Sequence, residues 1–177
     1  MTLRSLLLGF LAVPLLAQSP SITGVSPRAV IPGKTTLLTL SGSNLQQATN
    51  LWTSFGPASA SLTNSGREVS FRVRCSEDAR GIGAIQLHGP GGISDFELIL
   101  IDPLPVRESG SSSPLELPAA IDATLRDEEV DTYRFQAAAG QELSIEVLAH
   151  RIGSQADPVV RVLDRDGREL AYCDDDE

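Results

Sequence analysis

Between Glu68 and Cys75 the chain reads Glu-Val-Ser-Phe-Arg-Val-Arg-Cys, and this alternation narrows most what it can fold into. In an extended strand successive side chains point to opposite faces, so Val69, Phe71, Val73 and Cys75 share one face and Ser70, Arg72 and Arg74 the other. A helix would scatter the same four apolar residues around its circumference, so the segment predicts a half-buried strand. Residues 35–40, 83–88 and 94–101 are likewise short and alternating or β-branched. Pro32-Gly33, Ser41-Gly42, Asn64-Ser65-Gly66 and Gly89-Pro90-Gly91-Gly92 punctuate them as turns. No stretch here sustains a helical stripe over three turns. About seven short strands in roughly 80 residues have the size and rhythm of an immunoglobulin-like sandwich.

The N-terminus is different in kind. A short basic region ending at Arg4 is followed by Leu-Leu-Leu-Gly-Phe-Leu-Ala-Val-Pro-Leu-Leu over residues 6–16, then Ala17 and a polar Gln18-Ser19-Pro20. That order is the layout of a secretory signal peptide over residues 1–17. The alternative, a membrane anchor, needs about 20 apolar residues, and this run is roughly half that with Pro14 inside it. The mature chain is expected to be secreted, periplasmic or at the cell surface, with no transmembrane segment after cleavage.

Charge divides what remains. The formal net charge is −9. Residues 18–104 carry six basic and six acidic side chains, whereas residues 105–177 carry seven arginines against seventeen acids. So sharp a change predicts two modules with different surfaces, and the acidic balance excludes nucleic acid as the main partner. The stretch from Asp102 to Pro114 holds three Pro and four Ser and reads as an extended linker over residues 103–114. A long loop inside one domain is the alternative. Beyond it, residues 121–125, 130–135, 142–148 and 159–163 alternate again and predict antiparallel strands.

The order of signals in the first module, Pro20-Ser-Ile-Thr-Gly-Val-Ser-Pro27, Pro32-Gly33, Leu38-Thr-Leu-Ser-Gly-Ser-Asn-Leu45 and Gly91-Gly-Ile-Ser94, resembles the IPT/TIG-type immunoglobulin-like domains of secreted and surface proteins. The resemblance covers residues 20–101 and implies a spacer or interaction role, with no catalytic residues. The second module reads Asp131-Thr-Tyr-Arg-Phe135, Ala139-Gly-Gln-Glu-Leu-Ser-Ile-Glu-Val147, Asp157-Pro-Val-Val-Arg-Val-Leu-Asp-Arg-Asp-Gly-Arg-Glu-Leu170 and Asp174-Asp-Asp176. It resembles the bacterial pre-peptidase C-terminal domain, which implies a jelly-roll-type sandwich accompanying secreted peptidases and large surface proteins. The match stops where that family continues with further strands. Some 60 residues would bury only about 60% of their unfolded surface, so residues 115–177 are expected to be part of an interrupted sandwich. The expected fold is thus all-β: residues 1–17 as signal peptide, 18–102 as an immunoglobulin-like β-sandwich, 103–114 as linker and 115–177 as a partial jelly-roll-type β-sandwich.

The chemistry-bearing residues are sparse. There is no Gly-x-Ser-x-Gly elbow, and His88 and His150 fall in different modules without spaced partners, so no catalytic residues are assigned and the chain is not expected to be an enzyme. Gly81-Ile-Gly83 lacks a third glycine and a following helix, and reads as a turn. Cys75 belongs to an apolar face and reads as a buried thiol, with a bridge to Cys173 as the alternative. Glu129, Asp131, Asp174, Asp175 and Asp176 supply the clustered hard oxygens that calcium takes, and they are the weak calcium candidates. In collagen-binding relatives of the second family, calcium is held by a preceding Glu- and Asn-bearing segment and by Asp residues near the Asp131 position. Here that segment is Glu108-Ser-Gly-Ser-Ser-Ser-Pro114, without the Asn. Asp164-x-Asp166-Gly167 reads as a hairpin turn and the remaining acids as solvated surface. Three functions follow from this reading: a non-catalytic spacer or binding module, an accessory region of a secreted peptidase whose catalytic domain is absent from this chain, and a calcium-dependent adhesion module. The corresponding partners are a secreted peptidase domain or an extracellular polymer.

Overall fold

A computed structural model of the chain describes residues 18–108, 113–126 and 128–174. The expected signal peptide, residues 109–112 of the expected linker, and the calcium candidates Asp175 and Asp176 lie outside the described residues. The described chain is nearly all β. Nine strands precede residue 102: β1 (Ser21–Ser26), β2 (Ala29–Val30), β3 (Thr35–Ser43), β4 (Asn50–Thr53), β5 (Thr63–Asn64), β6 (Glu68–Arg74), β7 (Gly81–Gly89), β8 (Gly92–Ile93) and β9 (Glu97–Ile101). Four follow: β10 (Val106–Glu108), β11 (Ala120–Asp122), β12 (Val160–Leu163) and β13 (Glu169–Cys173).

The first nine strands make two facing sheets, one in the order β1-β3-β6-β5 and one in the order β2-β9-β7-β4, with β8 paired to β7. All their pairings are antiparallel except β2 with β9. The alternation read in the sequence sets their inner faces. Val69, Phe71 and Val73 of β6, with Cys75 just beyond it, are buried and meet Leu38 and Leu40 of β3 in the same sheet. Ile85 and Leu87 of β7, Ile99 and Ile101 of β9 and Leu51 of β4 close the core from the other sheet. Leu45 and Phe55, from the connections flanking β4, fill its end. Each such side chain contributes about 1.5–3 kcal/mol by leaving water. On the opposite face of β6, Arg72 and Arg74 are exposed as the alternation requires, while Ser70 is buried and pairs its hydroxyl with Thr39 Oγ1 at 3.1 Å. Gly83 stands at an inward position, where a Cβ would lie 2.5 Å from the Phe55 ring. The glycine is the space into which Phe55 packs.

The second half departs from the expected strand pattern. β12 and β13 form an antiparallel hairpin, and Asp164–Gly167 is its turn, as the sequence predicts: Asp164 Oδ1 accepts from the backbone N–H groups of Asp166 and Arg168, and Gly167 has φ 82°. Residues 142–148, however, pair with no strand, and residues 130–135 hold only an isolated bridge from Phe135 to Leu115. Leu143, Ile145 and Val147 keep the alternating pattern and are exposed, and Val130 is 84% exposed. Alternation supplies a strand with an apolar face; burying that face takes a neighbouring ladder and an opposing sheet. Among the described residues every buried apolar side chain lies between Pro20 and Ile101.

The halves touch. The Arg28 backbone N–H donates to Asp122 Oδ2 at 2.8 Å, and its guanidinium Nη1 to the Ile152 carbonyl at 3.4 Å. Within the Pro/Ser-rich stretch, β10 pairs in parallel with β11.

Candidate functional site

Each described calcium candidate is already hydrogen-bonded. Asp131 Oδ2 accepts from the Tyr133 hydroxyl at 2.7 Å, Asp174 Oδ2 from the Tyr172 hydroxyl at 3.1 Å, and Glu129 Oε2 from the Arg126 backbone N–H at 2.9 Å. Burial, with the Asp131 hydrogen bond, pushes the Tyr133 phenol up to about 12, and the Asp174 hydrogen bond pushes Tyr172 up as well. Among the described residues no three His, Cys, Asp or Glu side chains converge on one point.

The remaining polar candidates are scattered. His88 lies in β7 and its Nε2 is 3.2 Å from Gln86 Oε1; His150 opens a 3₁₀ turn (His150–Ile152) in the other half. Cys75 is a buried thiol, its pKa raised by burial and partly restored by the positive charge of Arg80.

A different group of residues converges on the outward face of the β2-β9-β7-β4 sheet. Because Leu51 points into the core, Asn50 and Trp52 point out. The register places Asn50 opposite His88, Trp52 opposite Gln86, Ala84 opposite Leu98 and Ile82 opposite Leu100, so these pairs share the outer surface. Phe96, two residues before Leu98, brings its ring 5.8 Å from that of Trp52 with 64° between the planes, an edge-to-face contact. Both rings remain open to solvent, Trp52 45% and Phe96 59% exposed.

Ser94 builds this arrangement. Its N–H donates to the Leu87 carbonyl at 2.9 Å, and its Oγ accepts from the Leu87 N–H at 3.0 Å. The segment leading to Phe96 is thereby fastened to β7. The Ser94 carbonyl in turn accepts from Gln86 Nε2 at 2.8 Å, which turns Gln86 Oε1 toward His88 Nε2. With Oε1 as acceptor, Nε2 of the neutral imidazole carries the proton and Nδ1 is the acceptor. The result is an aromatic pair beside a fixed amide and imidazole. The sequence reading missed it because Asn50–Thr53 is too short to show alternation. The available signal was the chain's one tryptophan standing next to a leucine in a β-prone stretch.

At the far end of the same face an open cleft of about 360 Å³ separates the halves, with Ile82, Leu100 and Asp102 on one side and Glu146, Leu148 and Arg151 on the other. Glu146 and Arg151 are ion-paired at 3.1 Å.

No protein-family model and no curated protein matches the chain. The resemblances to IPT/TIG-type and pre-peptidase C-terminal domains therefore rest on the motifs themselves. Among solved structures the chain is similar to the Bacteroides ovatus mixed-linkage glucan utilization locus protein SGBP-B, in complex with a mixed-linkage heptasaccharide, at 26% identity and TM-score 0.39, over 54% of this chain and 25% of that one. It is also similar to the Yersinia pseudotuberculosis adhesin InvE, at 13% identity and TM-score 0.38, over 49% of this chain and 26% of that one. The chain spans about a quarter of the length of each. At TM-scores below 0.5 neither likeness carries an argument about fold or ligand.

Proposed function

We propose that this protein is an exported, non-catalytic module of the bacterial cell surface or extracellular space, whose first half is a rigid sandwich presenting a face to an extracellular polymer. The reading of export rests on the N-terminal sequence, and among the described residues no helix is long and apolar enough to cross a membrane. The observation that carries the binding role is the exposed Trp52 and Phe96 pair. A sandwich that has buried Phe55 and Phe71 leaves two large rings in contact with each other and with water on a sheet face, an arrangement that offers apolar area to a partner. The polar groups nearest the rings are tied into one another and suit binding better than proton transfer.

Trp52 is the only tryptophan, so its emission reads the site directly. Titrating the exported chain with neutral polysaccharides, acidic polysaccharides and fibrous protein should shift that emission and protect it from acrylamide in at least one of the three classes. If no class of polymer alters Trp52, the face is not a binding face.

A further inference from the structure

We propose that the angled Trp52 and Phe96 pair takes an uncharged polysaccharide, the apolar face of a sugar ring stacking on one aromatic ring with the other beside it, and Gln86, His88 and Asn50 meeting its hydroxyls. This rests on the reading of the face as a polymer-binding surface and names the class of polymer.

Charge selects the class first. Apart from His88, the face residues Asn50, Trp52, Ala84, Gln86, Phe96 and Leu98 carry no ionisable side chain, and the module that bears them has equal numbers of acidic and basic residues. The adjoining half, in contact through Arg28, carries ten more acidic than basic side chains. An anionic polymer laid along the sheet would approach that negative field, whereas an uncharged one meets no repulsion.

Shape selects next. A protein partner gains most of its affinity by seating an aromatic or arginine anchor in a desolvated pocket. Here the rings stand on an open sheet, and the cleft at the Ile82 and Leu100 end is about 13 Å away along β7, four residues at about 3.3 Å each. Trp52 and Phe96 themselves are the projecting groups. A pyranose ring has an apolar C–H face and a rim of hydroxyls, so it needs one exposed aromatic face to stack on, with hydrogen-bonding groups beside it.

Preorganisation completes the argument. Gln86 is fixed by Ser94 and His88, so its remaining N–H and lone pair are presented without further loss of side-chain freedom. The amide offers a donor and an acceptor, and the imidazole Nδ1 a further acceptor, the mixed set that neighbouring hydroxyls satisfy.

The test is electrophoresis of the exported chain in gels containing a soluble neutral polysaccharide (β-glucan, xyloglucan or galactomannan) or an acidic one (polygalacturonate or alginate), alongside titration of Trp52 emission with the same polymers and with collagen. Retardation by at least one neutral polysaccharide is expected, with a shift in Trp52 emission. Phe96→Ala, which keeps the reporter, should weaken that binding at least tenfold, and Trp52→Ala should abolish it while leaving the melting temperature near that of the parent. Binding to acidic polysaccharide or collagen alone, lost in Trp52→Ala, would overturn the neutral-sugar inference and leave the binding face standing. Neutral-sugar binding unchanged in both variants would overturn this site. Silence toward every polymer would remove the binding face and the inference with it.

Discussion

Glu97 shares the inward parity of Ile99 and Ile101 at the start of β9, and its carboxyl is pushed above the ordinary 4.5 chiefly by burial, with Asp95 adding to the shift and Arg28 opposing it. A raised value in the folded state means that the folded chain holds more protons than the unfolded one as the pH climbs from 4.5 through the folded value, so stability falls across that window. Glu97→Gln removes the ionisation. Its melting temperature should exceed that of the parent at pH 7, and the gap should close toward pH 4; parallel pH profiles would show that Glu97 is solvated. The tyrosine-bound carboxylates make the opposite kind of residue-scale prediction. With one oxygen each of Asp131 and Asp174 already accepting a phenol hydrogen, calorimetry on the exported chain should find calcium binding no tighter than about 10⁻⁴ M. Micromolar binding abolished by Asp131→Ala would place a built site there.

Single elements show how much of this fold is legible in a sequence. β6 declares itself, because alternation over seven residues assigns a face to each side chain and the inner face found is the one read from the pattern. β7 is legible only over residues 83–88: it already opens at Gly81, so Gly81-Ile-Gly83, which reads as a turn, is the start of a strand. β4 does not declare itself, since four residues carry too little pattern, and with it went the aromatic face. That pair depends on the antiparallel register of β4 on β7 and on Ser94 fastening the next segment to β7, contacts distant in sequence. Residues 142–148 fail in the other direction: their alternation is clear, but no described strand pairs with them. Their amides, and those of 130–135, should exchange with solvent far faster than those of β6 and β7, a contrast hydrogen exchange reads directly. Within β7, Gly83→Ala should cost about 1–3 kcal/mol, because the new methyl meets the Phe55 ring on one side and Ile101 on the other. A neutral result in chemical denaturation would mean that Phe55 has room to move.

On the scale of the whole molecule, the contrast between the halves is one of core and charge. Residues 20–101 contain every buried apolar side chain among those described, in a module of balanced charge, whereas the residues after Pro105 contribute exposed apolar side chains and a large excess of acid. Among the described residues, the halves meet through two hydrogen bonds from Arg28, the His150–Ile152 turn lying against β9, and the margins of one open cleft. Hydrogen bonds of this kind contribute about 0.5–1.5 kcal/mol each, a small sum beside a core of more than a dozen apolar side chains. The first half should therefore keep its fold when the second is cut away, and the stretch between Pro103 and Pro114, whose Pro/Ser/Gly composition favours an exposed chain, is where a protease should enter first. Limited proteolysis is expected to leave a stable fragment ending near residue 104 that unfolds in a single cooperative transition. First cuts inside β3 or β6 would refute the boundary, and a fragment that melted on release would show that the acidic half, for all its exposed surface, holds the sandwich together.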